Sequence, residues 1–151
     1  MSNILLSITA SPGVRAVTVT LGDRALAVHL YAKTAYIAAV ARGVECRFED
    51  GDLKRAAWLL AKLMDRVGRA LKSRYYTYTG PLEVVEEAVR YRPYVSPTST
   101  VEITLSGGRA AVVGGEFRRR FRTDVDVGGV LKKYIELLAS CRGDETRLGD
   151  V

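Results

Sequence analysis

The chain has one histidine, His29, and two cysteines, Cys46 and Cys141, with no CxxC spacing. These counts remove most catalytic and metal chemistry. A Ser-His-Asp triad would have to be built around His29 on a hairpin strand, and no GxSxG accompanies it. One His and two distant Cys cannot supply a zinc set, and the acidic residues follow no calcium-loop spacing. No glycine pair is followed by Gly-Lys-Ser/Thr or fits GxGxxG; a hairpin turn explains Gly107-Gly108, and Gly128-Gly129 beside Asp126 could place backbone amides at a helix start for an anion. Asp124 and Asp126 could hold magnesium in an enzyme acting on phosphorylated substrates, but acidic residues at a helix start are more often caps. The expectation is a binding protein, not an enzyme, with no catalytic residue, metal or cofactor.

Other scarcities point to the setting. Met1 to Thr9 has no basic leader pattern, and the chain lacks the run of about 18 apolar residues that a spanning helix needs, which predicts a cytoplasmic protein outside the membrane. Asn3 is the sole asparagine, glutamine is absent, and arginine outnumbers lysine 17 to 6, a composition of heat-adapted chains. In that setting Cys46 and Cys141 are expected to be structural, as buried thiols or as a disulfide.

What is present suits one globular domain. At 151 residues, 48% of them apolar, the chain can bury roughly two-thirds of its unfolded surface. Residues 3–9, 16–21 and 26–30 alternate apolar and polar around the turns Ser11-Pro12-Gly13 and Gly22-Asp23 and read as strands. A second hairpin spans 100–105 and 109–113. Helices are expected at Ala32–Arg42, Asp52–Ser73 (capped by Asp50 or Asp52), Pro81–Arg90 and Val125–Cys141, with a short strand over Val44, Cys46 and Phe48 and a loop from Tyr91 to Thr98. The predicted architecture is α+β: an antiparallel sheet from two hairpins packed with about four amphipathic helices over residues 1–141, followed by a flexible tail at 142–151.

The net charge of +6 and pI of about 9.5 suit a polyanion, since each cation near a phosphate releases counterions. Four clusters place cations beside rings. Trp58, the sole tryptophan, falls opposite the apolar stripe of its helix, near Lys54, Arg55, Lys62 and, further along, Arg69. A base can stack on such a ring while the cations follow the backbone, or another part of the chain or another subunit can pack over it. Lys72–Tyr78 contains Arg74, Tyr75, Tyr76 and Tyr78; Arg90–Tyr94 contains Arg90, Tyr91 and Arg92, and at least one of these rings is expected in the core. In Glu116–Arg122, four arginines, Arg118, Arg119, Arg120 and Arg122, surround Phe117 and Phe121. As a helical turn or as a strand this makes a basic ridge, fit for gripping phosphate or for ion pairs with Glu83, Glu86 and Glu87.

Trp58 with Lys62, the Arg74-Tyr75-Tyr76 run and Phe117–Arg122 together resemble the ThermoDBP-related single-stranded DNA-binding proteins of hyperthermophilic archaea, over residues 44–138. The resemblance implies an antiparallel sheet packed with helices, a cleft mixing apolar and basic groups, and homo-oligomers that hold the strand. The ten-residue tail is too short for the zipper extension of the founding members. The RNP, KH and five-strand OB patterns are absent. Sequence-tolerant binding of single-stranded DNA, or of RNA, is the leading expectation. The alternative is a structural or adaptor subunit whose exposed aromatics form a protein interface.

Overall fold

The computed structural model describes residues 3–31, 36–44, 46, 48 and 51–141, excepting the side chains of 31 and 36–39. The elements run β1 (Ile4–Ser11), β2 (Val14–Leu21), β3 (Arg24–Tyr31), β4 (Tyr36–Arg42), α1 (Gly51–Ala70), β5 (Thr77–Val85), β6 (Ala88–Tyr91), β7 (Tyr94–Ser96), β8 (Ser99–Thr100), β9 (Glu102–Ser106), β10 (Arg109–Gly114), β11 (Phe117–Arg122) and α2 (Val127–Ser140). Among the described residues, nine strands form one antiparallel sheet in the order β11-β10-β9-β6-β5-β1-β2-β3-β4, and β7 pairs only with β8.

The meander β1 to β4 follows from period-two patterning. Leu6 and Ile8 on β1, Val17 and Val19 on β2, and Leu26 and Val28 on β3 are buried on one face, leaving Ser7, Thr18 and Ala27 aligned on the other. The tight turns between them use Gly13 and Gly22, both at positive φ.

Strand β5 joins two half-sheets. Its first half, Thr77–Pro81, pairs with β1, and its second half, Leu82–Val85, pairs with β6. Pro81 has no N–H to donate and stands at the changeover, while its carbonyl accepts from Arg92 N at 3.1 Å. A Cβ at Gly80 would fall on the Arg92 carbonyl oxygen, so only glycine lets the 92–93 backbone cross there.

Both helices lie against the same face of the sheet. On α1, Leu53, Ala57, Leu60, Met64 and Val67 are buried against β1, β2, β3 and α2, each large aliphatic contributing about 1.5–3 kcal/mol. On α2, Val127, Leu131, Ile135 and Leu138 are buried; this helix packs on β2 and β3 of one half-sheet and β6 and β9 of the other. The sheet therefore curls around the pair. The Asp126 carboxylate caps the start of α2 by accepting from Gly129 N at 3.0 Å, and Arg24 donates to the carbonyls of Leu138 and Ala139 at its end.

The architecture corrects the four-helix expectation. Among the described residues there are two helices, and the sheet is much larger than two hairpins. The segment expected as a helix from Pro81 to Arg90 is the β5–β6 hairpin, with Leu82 and Val84 in β5 facing Tyr91 and Val89 in β6; Glu86, at φ 53, and Glu87 form the turn. Of the Ala-rich Ala32–Arg42 helix, residues 36–42 are strand β4, paired along β3; cross-strand pairing overrides the helix preference of alanine. Residues 32–35 lie outside the described residues. Residues 44, 46 and 48 are not in a strand, and the loop expected at 91–98 contains β7. The expected tail at 142–151 and the cap at Asp50 lie outside the described residues. Among those described, no helix is long and apolar enough to cross a membrane.

Cys46 and Cys141 form a disulfide, with S–S 2.06 Å and Cα–Cα 5.9 Å. It ties the segment before α1 to the end of α2 across 95 positions of sequence, a loop that costs the unfolded chain much of its entropy. Reduction, or the Cys46→Ser/Cys141→Ser variant, is expected to lower unfolding stability by about 2–5 kcal/mol. Denaturant titration with and without reductant measures this, and identical midpoints would contradict it.

Candidate nucleic-acid interface

Strand β11 resolves the alternatives for the Phe117–Arg122 run. As a strand at one edge of the sheet, it places Phe117, Arg119 and Phe121 opposite Gly114, Val112 and Ala110, on the helix side, and Arg118, Arg120 and Arg122 opposite Val113, Ala111 and Arg109 on the other. Phe117 and Phe121 pack against the core, and Arg66 of α1 and Arg119 each stand 5.9 Å from the Phe121 ring. Both phenylalanines thus anchor the strand, and the three outward arginines repeat every ~6.7 Å along it. Arg109 faces Arg122 across the β10–β11 pair. These four guanidinium groups have no ion-pair partner among the described residues. Charged side chains on an edge also discourage pairing with another sheet.

The turn Gly114-Gly115, from which β11 starts, forms one wall of an open groove of about 670 Å³. Its other walls are the 71–75 segment after α1 and the β7–β8 hairpin, and it exposes Lys72, Arg74, Tyr75, Ser99 and Thr100. Hydrogen bonds hold the walls together. Helix α1 ends in a left-handed turn at Lys72, φ 54, with Ser73 N donating to Gly68 O at 2.8 Å. Ser73 Oγ donates to Val95 O at 2.8 Å, binding this turn to β7.

Tyr78 and Tyr91, candidates for stacking by sequence, are buried and present no ring face to a ligand. They support the groove instead. Tyr91 donates its hydroxyl to Tyr78 O, and Tyr78 donates to Tyr75 O, both at 2.7 Å. Burial, with Tyr78 as a lesser influence, pushes the Tyr91 phenol far above its ordinary pKa. Tyr75 and Tyr76 are exposed, as is Tyr94 at the start of β7.

The remaining candidates divide by partner. Arg55 pairs with Asp124 at 2.7 Å and Arg69 with Asp65. Arg90 and Arg92 share Glu102 at 3.0 and 3.6 Å; Arg90 Nε is buried there without hydrogen-bond alignment. Trp58 is half-buried against the core and lines neither groove nor ridge, and the Arg15 guanidinium stands 5.0 Å over its ring. Lys54 is half-buried on the same helix. Lys62 lies beside Phe121 and Arg122, near the base of the ridge. Of the sequence candidates, Arg74 and Tyr75 share the groove, while Arg118, Arg120 and Arg122 form the ridge. Lys72, in the groove, and Arg109, beside the ridge, join the surface without having been singled out as site residues. Lys72 sat inside a basic-aromatic run, whereas Arg109 becomes relevant only through its register with Arg122.

Asp124 and Asp126 are both engaged, one with Arg55 and one as the α2 cap, so neither the magnesium pair nor the Gly128-Gly129 anion site is assembled. Comparison with protein-family models, curated proteins and solved structures finds no match.

The hydrogen bond from Arg55 holds the Asp124 carboxyl below its ordinary range against an opposing desolvation. Such a depressed carboxylate favours the fold above its unfolded pKa, and that contribution disappears as pH falls through the folded value. In Arg55→Ala, the Asp124 midpoint is expected to rise toward the ordinary aspartate range, read by NMR of the carboxyl carbon; an unmoved midpoint would contradict the pair. Lys72 occupies a conformation that suits glycine, so Lys72→Gly is expected to raise stability by about 1 kcal/mol, as thermal unfolding would report.

Proposed function

We propose that this chain binds single-stranded nucleic acid, with DNA the first choice and RNA the second, along the β11 ridge and into the adjoining groove. The observation that carries this is the set of guanidinium groups without an ion-pair partner among the described residues, Arg118, Arg120 and Arg122 in line with Arg109 beside them, on a sheet face that neither α1 nor α2 covers. Elsewhere Arg55, Arg69, Arg90 and Arg92 meet carboxylates, whereas these arginines, with Lys72 and Arg74 of the adjoining groove, have no carboxylate partner among the described residues. An extended backbone following a strand can meet successive arginines, each able to bind phosphate through two N–H groups.

The groove supplies the second element. Tyr75 offers a ring beside Arg74 and Lys72, with Ser99 and Thr100 hydroxyls opposite, a setting for an unstacked base and its phosphate. None of these contacts reads sequence in a duplex groove, which favours sequence-tolerant binding to a single strand. The same class follows from the resemblance to ThermoDBP-related proteins, though with the arginine ridge rather than Trp58 as the main contact.

Titration of a labelled single-stranded oligonucleotide at two salt concentrations tests the proposal. Binding is expected to weaken with salt, and Arg118→Ala/Arg120→Ala/Arg122→Ala is expected to flatten the slope of log K against log salt by about 2, at roughly 0.7 per phosphate contact. Affinity independent of salt, or unchanged in the triple variant, would overturn it. A parallel series with duplex DNA and RNA ranks the substrates.

A further inference from the structure

The two half-sheets have opposite outer faces. Where β9, β10 and β11 carry the arginines, the outer face of β4-β3-β2-β1 and the first half of β5 carries mainly Ser, Thr and Ala side chains, among them Ser7, Thr18, Ala27 and Thr79, together with the half-buried His29, which stands opposite Ala16. Among the described residues this face holds no Asp, Glu or Lys, and Arg42 stands only at its β4 margin, opposite Ala25. Both helices lie on the other side. Three exposed aliphatic side chains belong to this face: Leu5 at 42%, Val14 at 42% and Val40 at 47%.

We infer that this face is where a second copy of the same chain docks, sheet against sheet about a two-fold axis. Three observations favour that occupant. A chain of net charge +6 repels its own copy over most of its surface, and an uncharged face is where the copies meet without opposing like charges. A face whose one described Arg or Lys is Arg42, at its margin, likewise offers little electrostatic selection for an acidic partner. The size also fits: five strands about 4.8 Å apart and about eight residues long give roughly 24 by 26 Å. Two such faces bury about 1,200 Å², the lower bound of stable interfaces.

Four of the hydroxyl groups are prepared for burial. Ser7 Oγ and Thr79 Oγ1 are 2.9 Å apart, and Thr9 Oγ1 and Thr77 Oγ1 are 3.1 Å apart, so these four already satisfy one another across β1 and β5. Removing water from a paired hydroxyl costs far less than from an unpaired one. Small side chains keep the surface flat, which lets two copies approach closely over the whole area.

Sedimentation velocity on the full chain over a dilution series, at low and high salt, tests this. A monomer–dimer equilibrium that persists in high salt is expected, in contrast to the salt-weakened nucleic-acid binding. Thr18→Arg, at the centre of the face, is expected to weaken the dimer by roughly a hundredfold or more through burial of an unpaired charge, whereas Ser106→Arg, the same charge change on β9, leaves it intact. Circular dichroism establishes that each variant is folded, and Ala27→Glu repeats the test on the neighbouring strand. Should both variants misfold, hydroxyl-radical footprinting of the unaltered chain decides, with Leu5 and Val40 protected on concentration. A monomer at every concentration, a dimer that salt dissolves, a folded Thr18→Arg dimer, or a Leu5 equally reactive throughout would each overturn the inference.

Discussion

The missing side chain at Gly80 lets the backbone of Arg92 and Pro93 lie across β5, and much of the surface depends on that crossing. Because it occurs at the changeover from β1 pairing to β6 pairing, one strand serves two half-sheets that curl around a single pair of helices. The chain emerging from the crossing becomes β7, whose Val95 carbonyl receives the Ser73 hydroxyl. The groove between them is a consequence of backbone geometry as much as of its lining side chains. The buried pair Tyr78 and Tyr91 reinforces it from beneath, converting core hydrogen bonds into a fixed position for Tyr75.

Division of the sheet into halves also divides its electrostatics. On the β11 side, exposed guanidinium groups follow one another along a strand with no ion-paired carboxylate among the described residues. On the β1–β4 side, the same sheet face holds little charge among the described residues, and four of its hydroxyls pair across β1 and β5. An ionic surface and an uncharged one on opposite halves would let the molecule meet a polyanion and a copy of itself without competition, each contact having its own salt dependence.

Several elements were legible from residue patterns because local and tertiary preferences agree. The stripe Leu53, Leu60, Met64 and Val67 has one outcome, an amphipathic helix, and the strands around Gly13, Gly22 and Gly107 have turn residues that demand a hairpin. The segment after Gly80 was not legible. Pro81 followed by Leu82, Val85 and Val89 satisfies a helical period, yet the same residues complete β5 and β6 because β1 and β9 offer open edges on either side. Ala-rich β4 misleads in the same way, through alanine's local preference. Trp58, expected opposite the apolar stripe of its helix, packs half-buried against the core, and nothing near it in sequence foretold Arg15 over its ring, which comes from β2.

By itself the sequence determined composition and chemistry: a basic chain, with one histidine, cations beside aromatic rings, and amphipathic stretches able to bury a core. Which cations meet carboxylates and which stay free was decided only by tertiary structure. Charge pairing acts over a few ångströms of space, and strand register sets those distances independently of separation along the chain. Arg90 and Arg92 meet Glu102 because β6 lies beside β9, while Arg118, Arg120 and Arg122 find no carboxylate among the described residues because β11 is an edge whose one neighbour presents Val113, Ala111 and Arg109.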